Sequence, residues 1–330
     1  MKAIDMHCDT ITALLQQKKD NTGVLLRKNN LQVDLEKMKQ GNYLLQNFAI
    51  FTHLSKNDPL LHVQEAIDLY YQELEKNNDI IKPVFSYRDI INNEYNGFMS
   101  AMLTLEEGDV VFGSLAMLRN YYRLGVRMVT LTWNFQNAIG YPNVESHHDM
   151  TFQDLYKINK TDGLTPFGIS YIKEMERLGM IIDVSHLSDA GFYDVLKHTT
   201  KPFVASHSNA RAVCGVARNL SDDMIAKIAQ RGGVIGINYY GDFLLESKQG
   251  NAPSRIVDII KHIQHMISIG GIDCIGLGSD FDGIDNNLEL VNASYLPKLQ
   301  QALQDQGFTQ ESIEKIFYKN VMRVYREVLK

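Results

Sequence analysis

Residues 180–218 constrain this chain more than any other stretch. Two apolar runs, Met180–Val184 and Pro202–Ala205, each end in Ser-His. Between them Ser188–Thr199 carries a helical pattern, with Ser188 placed to cap it. Strand, helix and strand in that order form a β-α-β unit, whose two strands lie parallel and adjacent. Their carboxyl ends then fall on one side of the sheet, the edge where α/β folds build their sites. His186 and His207 therefore stand side by side. One histidine at a strand end is ordinarily structural. Two in the same frame on neighbouring parallel strands point to a metal, because neutral imidazole is its commonest ligand.

The remaining chain repeats the alternation. Strand-like runs fall at Met1–Asp9, Tyr43–Phe51, Met99–Leu105, Val126–Trp133, Gly233–Tyr239 and Cys274–Ser279, making eight with the central pair. Helical patterns separate most of them, at Leu35–Gln40, Asn57–Asn77, Gly113–Leu124, Thr165–Leu178, Ser221–Gln230 and Ser254–Ile269. More follow at Ala293–Gln304 and Gln310–Lys330. Residues 18–42 are otherwise polar and carry no clear period. There is no internal repeat and no Pro-rich or low-complexity linker. The pattern is that of a (β/α)8 TIM-type barrel forming one catalytic domain over residues 1–330. An open doubly wound sheet is the alternative. Polar groups, however, stand at many strand ends: His7 and Asp9, Glu106, His186, His207 and Asp280. A closed barrel gathers all of those ends around one pocket, whereas an open sheet spreads them along a line.

Composition excludes several classes of partner. The formal net charge of -6 provides no basic field for nucleic acid or anionic lipid. No apolar run reaches the length of a membrane span, and no signal-peptide pattern opens the chain. Three widely spaced cysteines do not form a disulfide framework, so a reducing cytoplasm is expected. His53 and His62 read as surface or packing residues. The 134–164 segment is long enough to be a lid, and its His147-His148 pair reads as solvated. His262 and His265 read as facing solvent or the barrel shell.

His7 and Asp9 are two apart on a strand and so share a face. Glu106-Glu107 is either the start of a solvated loop or, through Glu106, part of the histidine cluster. If Glu106 joins, five protein ligands are too many for one catalytic zinc, which keeps three and an open position. Two metals with Glu106 bridging fit the count, one on His7 and Asp9 and the other on His186 and His207. Two divalent ions, two carboxylates and a hydroxide leave a net positive centre suited to an oxyanion.

These residues resemble a known family. The segments His7-x-Asp9, Leu105-Glu106, Asp183–His186, Ala205–Ser208, Ala217-Arg218-Asn219 and Gly278–Gly283 are similar to those of the membrane (renal) dipeptidases, peptidase family M19. The resemblance runs over nearly the whole chain. It implies a (β/α)8 barrel related to the amidohydrolases, holding two Zn(2+). It also implies hydrolysis of dipeptides, including those with a C-terminal D-residue, by a water that the two zinc ions activate. By match, His7, Asp9, Glu106, His186 and His207 are metal ligands, Asp280 is the catalytic acid/base and Arg218 binds the substrate carboxylate. The resemblance also implies a homodimer. Asp282-Gly283 reads as a turn.

One position departs from the pattern. The animal enzymes carry a substrate-contacting histidine where this chain has Trp133, whose indole offers one N–H donor and no acceptor. Substrate range is where that difference should be felt. Another amidohydrolase-like activity on a different amide or ester, or an inactive barrel used for binding, are the competing readings.

Overall fold

A computed structural model of the chain describes residues 1–19, 25–55, 58–146, 151–247, 250–284 and 287–330. Its nine strands are β1 (Ala3–Cys8), β2 (Tyr43–Phe51), β3 (Ile81–Pro83), β4 (Met99–Glu106), β5 (Val126–Thr130), β6 (Ile181–Asp183), β7 (Val204–Ala205), β8 (Val234–Ile237) and β9 (Ile275–Leu277). Eight of them pair in parallel around a ring, β1-β2-β4-β5-β6-β7-β8-β9, and β9 pairs back onto β1. The expected (β/α)8 barrel is therefore present.

The ninth strand and two α-helices, Tyr87–Tyr95 and the short Gly241–Leu244, have no counterpart in the sequence reading. β3 pairs with the lower part of β4, Ile81 opposite Met99 and Pro83 opposite Ala101, while β5 takes the upper part from Leu103 to Glu106. Three residues that include Lys82 and Pro83 leave no readable period. The helix Tyr87–Tyr95 is mostly polar, and its signal is a capping box formed by Ser86 and Asp89.

The inner core sits toward the strands' amino ends. Ile4, Met6, Leu45, Met102, Met128, Ile181, Val204 and Val234 are buried there together. Val321, Val324, Tyr325 and Val328 of the last helix, Asn320–Val328, join the same cluster. The carboxyl-terminal helix thus closes the end of the barrel opposite the histidines. Burying each such side chain is worth about 1.5–3 kcal/mol. Tyr325 carries one polar atom into this core, and Asn47 satisfies it by exchanging hydrogen bonds at 2.7 and 3.0 Å.

The strands end earlier than an alternating pattern suggests. Beyond β6 and β9 the backbone turns left-handed at His186 (φ 69°) and Asp280 (φ 64°), which removes these residues from the ladder. Strands β7 and β8 approach closely because Gly236 has no side chain; a Cβ there would collide with the carbonyl oxygen of Ser206. Ser188 and Ser221 cap their helices, accepting the N–H of Gly191 and of Met224. The 134–146 and 151–164 segments are pinned by buried asparagines. Asn143 donates to Asp189 and to the Ala217 carbonyl, and Asn137 donates to the Leu131 carbonyl. His147 and His148 lie outside the described residues. Among the described residues, no helix is long and apolar enough to cross a membrane. Cys8, Cys214 and Cys274 are buried free thiols.

His262 is fully buried, inward of the solvent position that was one of its expected places. Its Nδ1 accepts the Ala210 N–H at 3.0 Å, and its Nε2 lies 3.0 Å from the Leu244 carbonyl oxygen. Both bonds require the neutral ring with its proton on Nε2. Burial pushes its pKa down to about 4. Stability from this group is complete above the unfolded value, about 6.5, and is lost as pH falls from there toward 4. Urea unfolding of the native chain and of His262→Gln should therefore show a stability gap that narrows by about 3 kcal/mol between pH 7 and pH 4. A gap independent of pH would contradict this assignment.

Candidate active site

Strand ends deliver six titratable groups to the barrel's carboxyl-terminal mouth. His7 lies one residue before the end of β1 and Asp9 just after it; Glu106 ends β4; His186, His207 and Asp280 follow β6, β7 and β9. All six are buried. They line or underlie a cavity of about 500 Å³, whose wall also carries Phe51, Trp133, Asn134, Tyr240 and Phe243.

Glu106 is the hub. Its Oε2 lies 3.3 Å from His7 Nε2, and its Oε1 lies 3.2 Å from His186 Nε2 and 3.4 Å from His207 Nε2. The His186 and His207 Nε2 atoms are 3.1 Å apart. On the other side, His7 Nε2 lies 3.4 Å from Asp9 and 3.8 Å from Asp280. Two sets of donors converge: His7, Glu106 and His207, and His7, Asp9 and Asp280.

The residues fit metal ions on three counts. Ligand atoms 2.0–2.1 Å from a tetrahedral ion lie about 3.3 Å from one another, which is the spacing seen around Glu106. His7 Nε2 is buried and makes no well-directed hydrogen bond, although oxygens of Glu106, Asp9 and Asp280 lie 3.3–3.8 Å from it, an arrangement that a shared ion would satisfy. Finally, three carboxylates share a pocket shielded from water. Burial pushes Asp9 up to about 7 and raises Asp280. Against burial, the facing histidines hold Glu106 well below its ordinary value, while Glu106 and Asp9 hold His7 well above its own. Burial, helped by Arg218, lowers His186 to about 4, and burial holds His207 well below its ordinary value. His186 and His207 are thus neutral and able to offer a lone pair.

A supporting layer aims these groups, and most of it is invisible in short motifs. Asn134 Oδ1 lies 2.8 Å from His186 Nδ1, and Ser206 Oγ lies 2.7 Å from His207 Nδ1. Each contact leaves the corresponding Nε2 to face Glu106. Asn238 donates to Asp280 Oδ2 at 2.8 Å, leaving Oδ1 toward His7. Two buried acids clasp the strand ends. Asp183 accepts from Thr130 Oγ1 and from the N–H groups of Ser185 and Ser206. Asp5 accepts from the N–H groups of His7 and Ser279 and from Ser279 Oγ. The available signal was an acid inside each apolar run, Asp5 and Asp183, where solvation cannot explain it. Glu107 is also buried, accepting the N–H groups of Asp109 and Trp133. Asp282 does more than turn the chain: it accepts Thr10 Oγ1 at 2.6 Å and the N–H of Gln32 at 2.6 Å, fastening the segment before Leu35 to the mouth.

The two expected substrate contacts stand differently. Trp133 lines the cavity. Arg218 is buried and does not line it. Its Nη atoms donate to Ser208 Oγ at 2.7 Å and to the His207 carbonyl at 2.9 Å. Its Nε–H has no partner, and its guanidinium lies 5.5 Å from the ring of Phe243, which does line the cavity. Among the described residues it has no carboxylate within ion-pair distance.

Comparison with known proteins agrees with this arrangement. The family described as membrane dipeptidase, peptidase family M19, matches residues 1–330. An uncharacterized dipeptidase of Schizosaccharomyces pombe is 35% identical over 309 residues, 89% of this chain and 71% of its own. The dipeptidase aclJ of Aspergillus oryzae is 30% identical over 308 residues, 90% of this chain and 70% of its own. A metallo peptidase from Rhodobacter sphaeroides, solved with a phosphinate mimic of the dipeptide L-Ala-D-Ala, has the same fold. It superposes with a TM-score of 0.89 at 23% identity, covering 99% of both chains. This chain, a (β/α)8 barrel with six convergent histidines and carboxylates at its mouth, belongs to the membrane dipeptidase family of metallopeptidases, peptidase family M19.

Proposed function

We propose that this protein is a cytoplasmic dipeptidase that uses two zinc ions, one held by His7 and Asp9 and the other by His186 and His207, with Glu106 bridging. The observation that carries the reading is the division of Glu106: one oxygen faces His7 and the other faces His186 and His207. When bound, the metal pair supplies Lewis acidity toward the scissile carbonyl and lowers the pKa of water toward neutrality.

The chain's own groups do the rest. Asp280 Oδ1 faces the centre while Oδ2 is held by Asn238. Oδ1 takes the proton released by the attacking water and returns it to the leaving nitrogen. Arg218 stays cationic, although burial pushes it down to about 10. Its unpartnered Nε–H and charge attract the free carboxylate of a dipeptide, which also explains why longer peptides, whose carboxylate lies elsewhere, should be poor substrates. The pocket, roughly the size of one small peptide, agrees with that limit. The L-Ala-D-Ala mimic in the Rhodobacter sphaeroides relative supports a substrate with a C-terminal D-residue.

Hydrolysis of L-X-L-X and L-X-D-X dipeptides should be abolished by chelation and restored by zinc, with the D-series cleaved as well. Fully metallated protein that cleaves neither series would sink the reading and move attention to other amides and esters. Asp280→Asn should lower kcat by about 10²–10⁴-fold, while metal content measured by atomic emission stays at the native value. Glu106→Gln should instead reduce the metal content itself, because the amide offers no second anionic oxygen. Full metal loading in that variant would remove Glu106 from the bridging position.

A further inference from the structure

The cavity has two unlike aromatic walls. Phe51, at the end of β2, and Trp133, just past β5, form one; Tyr240 and Phe243, just past β8, form the other. In the ring order these walls lie across the barrel from each other, with Glu106 of β4 on the Phe51–Trp133 side. Arg218 follows β7 and lies beside Phe243, so the positive charge belongs to the second wall. A dipeptide whose carboxylate turns toward Arg218 must therefore point its amino-terminal residue toward Phe51 and Trp133.

That first wall is built to be rigid and uncharged. The Trp133 main-chain N–H is held at 3.1 Å by the buried Glu107. The indole packs edge-on against Phe51 at 4.9 Å and against His53 and Phe135 at 5.7 Å. It reaches to within 6.2 Å of the His186 ring, which puts it beside the reacting centre. The nearby Lys19 is paired with Glu65 at 2.8 Å and supplies no free counter-ion. Aromatic rings held in this way accept another ring edge-on or offset, and beyond the indole N–H and a cation–π face this wall offers a charged side chain no ion-pair partner.

We propose that Phe51 and Trp133 form the subsite for the side chain of a dipeptide's amino-terminal residue, and that it selects large apolar side chains, aromatic ones above all, over small or charged ones. This rests on the dipeptidase reading and adds the substrate class. Trp133 is the only tryptophan in the chain, so its emission reports on this wall directly. The test uses two phosphinate dipeptide mimics identical except at the amino-terminal side chain, benzyl in one and methyl in the other, titrated into the metal-loaded protein. Alongside, kcat/KM is measured for Phe-Ala, Leu-Ala, Ala-Ala, Glu-Ala and Lys-Ala.

The benzyl mimic should bind at least about tenfold tighter, equivalent to about 1.4 kcal/mol, and should shift the Trp133 emission more than the methyl mimic does. The kcat/KM ratio of Phe-Ala to Ala-Ala should be at least as large, and should fall several-fold in Trp133→Ala and in Phe51→Ala. Cleavage of all five dipeptides at similar efficiency, or a ratio unchanged in both variants, overturns the subsite while leaving the dipeptidase reading intact. If no mimic binds and no dipeptide is cleaved, the dipeptidase reading fails and the subsite fails with it.

Discussion

One buried carboxylate holds this site together. Glu106 lies within 3.2–3.4 Å of three imidazole nitrogens arriving from three different strands. No local segment could produce that meeting. It needs β4 to stand between β2 and β5, and it needs the ring to close so that β1, β6 and β7 deliver their ends to the same point. The barrel is the device that makes residues 7, 106, 186 and 207 neighbours.

Packing so many polar groups under one roof is costly unless each finds a partner. The strand-end clasps of Asp5 and Asp183 meet that demand for the backbone, and Asn134, Ser206 and Asn238 meet it for the site side chains. Among the described residues the exceptions at the site include His7, whose ring nitrogens make no directed hydrogen bond in its most crowded part, and Arg218, whose Nε–H is unpartnered. Left-handed backbone at His186, Asp280 and Asp282 is a second local expense, tolerated because those residues must leave the strand and turn into the mouth. Stability is supplied at the other end, where the last helix fills the barrel floor with Val321, Val324 and Val328. The fold thus separates a rigid apolar base from a polar, strained rim.

Much of this was legible in the chain before any coordinates. Eight apolar runs alternating with helical periods gave the barrel, and the paired Ser-His endings fixed which residues would share an edge. The six convergent groups were found because strand-end polarity is a local signal. What escaped was non-local or too short. β3 has three residues and a proline, so no period could form. Asn134 and Asn238 each hold a site side chain through a single hydrogen bond, and nothing in their immediate neighbours marks them; Ser206 stands in the Ser-His ending itself, but its bond to His207 Nδ1 does not show there. Asp5 and Asp183 were visible as acids in apolar runs, yet their partners Ser279 and Ser206 emerge only when strands are paired. Arg218 is buried beside Phe243, which lines the cavity, and the Ser208 and His207 bonds that place its guanidinium there join residues ten and eleven positions apart.

The central claim is that Glu106 divides two metal ions between its oxygens. Anomalous diffraction from crystals of the zinc-loaded protein, recorded on both sides of the zinc absorption edge, tests it most directly. The account predicts two peaks, one beside Glu106 Oε1 with His186 and His207, the other beside Oε2 with His7 and Asp9. A single peak, or two peaks that leave Glu106 outside both coordination spheres, would contradict it.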